Sequence, residues 1–472
     1  MSSTPSKPSL SMLRALTFSA TSLPISALTI AMAVYLPRHF ASHLGISLAL
    51  VGTAFFIVRT IDIPVDGIFG WAMDKTRTRL GRYRLWTILG APVLMAGTYA
   101  LFFAPDGVGL VYLVAWLLVL YCGNSMLDLS HRAWASTLAP RYDDRSRLFG
   151  VLIAVGVLGS ASVIAIPIIN EARGVADAGN VSMMGWFILA LTPVAITLVV
   201  LTTPERIAPS VPGHEFKLRD YGALIMRPTF LRLILADLFL SFGPGWMSAI
   251  YLFYFTDCRG FTTGQASILL ATYILAGIIG APAIARIAIR LSKHRTVMMT
   301  TTGYSLTLVT FTFIPHGSLP FGMAALFVAG VFASGFNLLT RAMTADIADE
   351  VRLEQGRERA GLLYAMTTMT TKIAGAVSIG ATFWVLALVG YQAEEGAVNT
   401  PAAIRNLELV YIIGPVACVM IGGLCMVGYK LGAERHAEIR RQLDERDALY
   451  DEHPIIEAVT QEAAVRTEPG RA

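Results

Sequence analysis

Charge is what this sequence has least of. Asp, Glu, Lys and Arg make up 15% of its 472 residues and hydrophobic residues 55%, against roughly a quarter charged in an ordinary soluble chain. With a mean hydropathy of +0.60, this composition excludes a water-soluble globular protein and points to a membrane protein. Cysteine is scarce as well. The four cysteines, Cys122, Cys258, Cys418 and Cys425, lack metal or disulfide spacing, and three fall inside apolar runs. That excludes a disulfide scaffold and leaves them as packing residues. Basic residues are not gathered into a patch: the net charge of +5 is spread between apolar runs, so nucleic acid is not an expected partner. The Ser/Pro-rich start, Met1 to Pro8, shows no small-residue cleavage site after the first apolar run. The first span is therefore expected to be retained rather than cleaved as a signal peptide.

What the chain has is long apolar runs. A membrane-spanning helix needs about 20 mostly apolar residues. Twelve stretches qualify: 15–37, 46–73, 84–104, 109–138, 148–170, 181–202, 230–256, 264–290, 295–315, 319–348, 361–391 and 407–431. A polar connection, 203–229, divides them six and six. The expected organisation is an N-terminal half 1–202, a cytoplasmic linker 203–229, a C-terminal half 230–432 and a charged, helix-prone cytoplasmic tail 433–472. Lys and Arg concentrate in alternate short loops: Lys75, Arg77, Arg79, Arg82 and Arg84, then Arg141, Arg145 and Arg147, then Arg286, Arg290, Lys293 and Arg295, then Arg352, Arg357 and Arg359. This bias predicts a multi-pass protein of a bacterial inner membrane with both termini cytoplasmic.

The halves read as a repeat. Gly45-Ile46-Ser47-Leu48, leading into the second span, parallels Gly260-Phe261-Thr262-Thr263, leading into the eighth. The predicted fold class is an all-α membrane protein of twelve transmembrane helices in two pseudo-symmetric six-helix halves, the major facilitator fold.

The second span carries the chemistry. Arg59, Asp62 and Asp66 lie at i, i+3 and i+7, one face of a helix. Carboxylates at membrane depth are costly and most often mark an ion or proton path. One Arg cannot neutralise two acids, so the spare acid calls for a cation or a proton. Pro64 and Gly67 are expected to loosen this helix and expose carbonyls. The fourth span has a second one-sided constellation: Asn124, Ser125, Asp128, His131 and Arg132. Lys372 is the single charge of span 11, too central to reach either surface, and is read as lining a central cavity. Asp74 and Arg77, in the basic loop after span 2, are expected to form cytoplasmic gating pairs with Asp346 and Asp349.

The run Asp62-x3-Asp66-x3-Gly70-Trp71-x2-Asp74-x-Thr76-x-Thr78-Arg79-x-Gly81-Arg82-Tyr83-Arg84-x-Trp86 resembles the signature of the glycoside–pentoside–hexuronide:cation symporters, the melibiose permease family. Asp128, the run from Ala345 to Arg357, and Lys372 followed by Gly375 extend the resemblance over nearly the whole chain. It implies a cation site of Asp62, Asp66, Ser125 and Asp128, with Na+ as one candidate ion, and a sugar site bordered by Asp128 and Lys372. The family's span 1 Asp aligns with Ser26, its span 5 Arg has no counterpart in 148–170, and Val65 stands where an Asn is common.

Together these features predict a transporter and not an enzyme: cation-coupled symport, with H+ or Na+, of a sugar or glycoside, an acidic one such as a uronide fitting the positive charge of His131, Arg132 and Lys372. Partners are the solute, the coupling cation and membrane lipids. Nothing calls for a cofactor, and one twelve-span unit suffices as a monomer. A lysolipid or amphiphile symporter of the same fold is the alternative. An intramembrane prenyltransferase, more remote, would need a second Asp-rich motif, and the sister positions of Asp62 and Asp66 are Gly277 and Ala281.

Overall fold

In lipid a backbone must satisfy its own N–H and C=O groups, so apolar runs of this length become helices. The computed structural model describes residues 11–139, 142–175, 177, 179–205, 222, 224–355 and 359–452, and among the described residues there is no strand. The first apolar run is a broken helix: α1 (Met12–Ser19), α2 (Ser22–Ile30), a π-helical turn Ala31–Tyr35, and α3 (Leu36–Ser42). Pro24 lacks the N–H that would carry α1 into α2, and the two segments meet at 40°. Then follow α4 (Leu48–Lys75), α5 (Tyr83–Phe102), α6 (Leu110–Leu138), α7 (Tyr142–Ala172) and α8 (Gly179–Thr202). Next comes α9 (Pro228–Ala249), extended by turns over Tyr251–Phe253 and Tyr254–Cys258. The chain continues through α10 (Thr263–Leu291), α11 (Lys293–Thr310), α12 (Leu319–Gln355), α13 (Ala360–Leu388), α14 (Pro401–Leu424) and α15 (Ala433–Glu452).

Ten of these helices are long and apolar enough to cross a membrane, eleven when the bent pair at the start counts as one span. The missing one of the twelve predicted is α11. It has 18 residues and opens on Lys293, His294 and Arg295 before a run of threonines, Thr300 to Thr302. It still buries Val297, Tyr304 and Leu308 completely, so it belongs to the bundle. The last span starts earlier than predicted, because Pro401 takes the first turn and the Thr400 hydroxyl accepts from the Ala403 N–H, a cap the apolar pattern alone does not reveal.

Helices α1–α8 pack mainly on one another, as do α9–α14, and the largest joins between the two sets are α4 on α13 and α7 on α10. The repeat read from the sequence has a backbone counterpart. Gly45 (φ 65°) and Gly260 (φ 67°) both take left-handed conformations, which glycine adopts without steric cost, and each launches a long helix three residues later.

Polar contacts clamp the sets at the loop end remote from the basic loops. Glu171 accepts from the Gly264 N–H at 2.9 Å and the Thr262 hydroxyl at 2.6 Å. Asp177 accepts from Thr263 at 2.6 Å, and Tyr35 meets Ser267 at 2.9 Å. Most of the predicted linker lies outside the described residues. Its first residues fasten to α5, where the Glu205 carboxylate accepts from the N–H groups of Arg82, Tyr83 and Arg84 at 2.7–3.0 Å, a favourable place for an anion at a helix N-terminus.

Candidate functional site

The site is built where α4 meets α13. Small residues let membrane helices approach closely. A Cβ on Gly52 would sit 2.8 Å from Phe383 Cβ, and one on Gly380 would sit 2.9 Å from Phe56 Cβ. Trp384 donates to the Thr53 hydroxyl at 3.0 Å, locking the antiparallel register. That register carries Lys372 of α13 to the level of Asp62 and Asp66 of α4. The expectation that Pro64 and Gly67 loosen α4 is not met: the helix runs unbroken from Leu48 to Lys75. A proline inside a helix costs about 3 kcal/mol, and packing on α6 and α13 outweighs it.

A cavity of about 200 Å³ lies between α2, α4, α6 and α13, and its polar lining is Thr29, Arg59, Asp62, Asp66, Asn124, Ser125, Asp128 and Lys372. Asp62 is 5% exposed. It accepts from Ser125 Oγ at 3.0 Å and lies 3.9 Å from the Arg59 guanidinium and 3.8 Å from Lys372 Nζ. Asp66 is ion-paired with Lys372. The Arg59 guanidinium sits over the Tyr121 ring, 4.4 Å from its centroid. Asp66 Oδ1, Asn124 Oδ1 and Arg59 Nε are buried and have no hydrogen-bond partner among the described residues. Two of these three orphans are acceptors, so the cavity offers free oxygens to a cation or its water.

Asp128 borders this cavity and a second, more open one of about 450 Å³, which holds Ser26, His131 and Arg132. The structure thus divides the predicted residues: Asp62, Asp66, Ser125, Asp128, Arg59 and Lys372 share the first cavity, while Ser26, His131 and Arg132 line the second. Asp128 does not turn to the span 2 acids, because Arg132 Nε donates to it at 2.7 Å. Among the described residues no three His, Cys, Asp or Glu side chains gather as a metal site. The expected surplus of positive charge is also partnered. His131 donates to the Phe18 carbonyl at 2.8 Å and stacks on its ring, and Lys372 is held by Asp66. Arg132 alone keeps an exposed side chain, at 67%.

Of the predicted gating residues, Asp74, Asp346 and Asp349 have other partners. Asp74 pairs with Arg82 within its own loop, and Arg77 is exposed on that loop. Asp346 binds Lys293 at 2.6 Å. Asp349 meets His436 at 3.1 Å and Arg440 at 3.5 Å, both on α15. Sequence reasoning missed Tyr121 and Thr29. Tyr121 was detectable, since it lies seven residues before Asp128 on the same helix face, whereas Thr29 carries no signal. The sister position of Asp62, Gly277, faces Gly330 of α12, and among the described residues the second set of helices lines the cavity with Lys372 and Ile379, neither of them acidic.

A buried charged cavity shared by two sets of apolar helices defines a membrane transporter of the major facilitator type, and the protein is multi-pass. The chain belongs to the MFS/sugar transport protein family, whose model matches residues 17–433. Relatives include the glucuronide carrier protein homolog of Escherichia coli, 22% identical over 89% of this chain and 93% of its own. The isoprimeverose transporter of Lactiplantibacillus pentosus is 23% identical over 89% and 90%. The sodium-dependent lysophosphatidylcholine symporter 1-B of Danio rerio is 21% identical over 83% and 82%. Among solved structures, the nucleoside transporter NupG superposes with a TM-score of 0.63 at 14% identity, covering 89% of this chain and 100% of that one, which shows the fold. These relatives are transporters, not enzymes.

Proposed function

We propose that the protein is a cation-coupled symporter of a sugar or glycoside, working by alternating access between an N-terminal half, 1–202, and a C-terminal half, 230–432, joined by the linker 203–229. One observation carries the reading: Asp62 and Asp66, midway along α4, face Lys372 from the other set of helices, with acceptor oxygens beside them unpartnered. An entering cation competes with the Lys372 ammonium for these carboxylates. Binding the cation frees Lys372 to donate to a solute hydroxyl, and this exchange couples ion to solute. Ser125 stands beside the cation through Asp62, and Asp128 joins its surroundings on leaving Arg132. H+ is favoured over Na+, because Val65 offers no side-chain oxygen and Asp128 is engaged by Arg132.

The solute site extends from Asp128 and Lys372 towards Ser26, His131 and Arg132, and a uronide carboxylate would meet the exposed Arg132 guanidinium in paired hydrogen bonds. Asp74, Arg77, Asp346 and Asp349 act when the basic-loop end closes. The protein functions as a monomer in a bacterial inner membrane, with both termini cytoplasmic. The test is uptake by the purified chain in proteoliposomes, using a panel of glycosides, uronides and lysophospholipids under imposed ion gradients. Glycoside or uronide accumulation supports the proposal; lysophospholipid uptake alone would replace it with the amphiphile reading.

A further inference from the structure

Building on the glycoside reading above, we infer that the second cavity is an aglycone pocket, so that the preferred solutes are glycosides bearing an apolar, aryl-sized group. The two cavities meet at Asp128 but differ in character. The first is ringed by charge. The second is over twice as large, at about 450 Å³ against about 200 Å³, and its broad wall is apolar. Phe149, Leu152, Ile153 and Val157 of α7 supply that wall, and Ile274 of α10 faces it.

Polar side chains come mainly from α2 and α6, where Ser26, Asp128 and Arg132 could take the sugar, and α7 adds Ser160. A second sugar ring on the α7 side would bring several hydroxyls to a surface with few donors or acceptors, and unpartnered hydroxyls are costly to bury. A phenyl ring meets no such penalty and gains from leaving water. The wall is held in place: a Cβ on Gly156 would lie 2.7 Å from Ser26 Oγ, so α7 abuts α2 with no room for a side chain between them. Ile274 comes from the second set of helices, so an aglycone in the pocket touches both sets and contributes to their closure.

Calorimetric titration of the purified full chain with matched methyl and phenyl β-glycosides of glucose, galactose, xylose and glucuronic acid tests this. For the sugar that binds, the phenyl form should bind at least about tenfold more tightly than the methyl form, the effect of burying part of a ring. In Ile153→Ser and Val157→Ser that ratio should fall to about threefold or less. Equal affinity for the two forms in the unaltered protein, or exclusion of the phenyl form, would overturn the aglycone pocket and leave glycoside symport standing. Failure of every methyl and phenyl glycoside to bind, with lysophosphatidylcholine binding instead, would overturn both.

Discussion

Lys372 reaches across from α13 to ion-pair with Asp66 on α4, and its ammonium also lies 3.8 Å from Asp62. One cation from the second set of helices thus answers two acids of the first, with the Arg59 guanidinium 3.9 Å from Asp62 as well. Each side of this contact is costly without the other, because an uncompensated charge in a poorly solvated cavity is strongly destabilising.

Removing the cation should therefore expose the acids. Lys372→Gln is expected to lower stability by about 2 kcal/mol at pH 8, a discounted figure because the Lys372 side chain is 32% exposed. Adding Asp66→Asn to the same variant should recover much of that loss, because the uncompensated carboxylate is then gone. Thermal unfolding of the single and double variants in detergent measures it, and an equal loss in both would contradict the pairing.

The α4–α13 contact makes a second prediction. A Cβ on Gly380 would crowd Phe56 and the Gly52 carbonyl at 2.9 and 3.2 Å, and overpacking of this kind costs about 1–3 kcal/mol. Gly380→Ala should lose most uptake, since the register that delivers Lys372 shifts. Gly361→Ala on the same helix meets nothing within 4 Å and should transport normally. Similar uptake by the two variants would show that the close approach is not needed.

The clamp at the end remote from the basic loops can be locked. Asp177 Oδ2 and Thr263 Oγ1 are 2.6 Å apart across the two sets of helices. Cysteines at both positions should crosslink, abolish uptake and release it on reduction. Full transport by the crosslinked protein would exclude the clamp from the cycle.

The tail helix offers a fourth test. Ile439 and Leu443 of α15 are buried, while His436 and Arg440 hold Asp349 of α12. Ile439→Glu should detach α15 and release Asp349 to the basic loop of the other half. Cysteines at 79 and 345, which leave Arg77 and Asp349 in place, should then crosslink several-fold faster than in the same pair without that change. An unchanged rate would mean that α15 does not compete for Asp349.

The sequence made the membrane class, the helical runs and the parallel between the segments opening at Gly45 and Gly260 legible, because apolar length and glycine spacing are local properties. It also marked Asp62, Asp66, Asp128 and Lys372, since a charge inside an apolar run stands out whatever it touches. Partner choice was not legible. That Asp128 meets Arg132, that His131 is pinned to the Phe18 carbonyl, and that Asp349 is held by α15 depend on how helices distant in sequence are packed. The continuity of α4 through Pro64 was hidden for the same reason: neighbouring helices decide whether a proline breaks a span. The run 295–315 counts as a span on its apolar residues, whereas α11 opens on Lys293, His294 and Arg295 and carries several threonines, and its burial against α12 and α14 was not legible.

The central claim is that cation binding at Asp62 and Asp66 drives solute movement, and it is tested most directly by ion-gradient uptake in proteoliposomes. For the glycoside that the panel identifies, a proton gradient should drive accumulation above equilibrium. Asp62→Asn and Asp66→Asn should abolish accumulation while leaving downhill exchange of solute measurable. Accumulation that persists in both variants, or that ignores every imposed cation gradient in the unaltered protein, would contradict it.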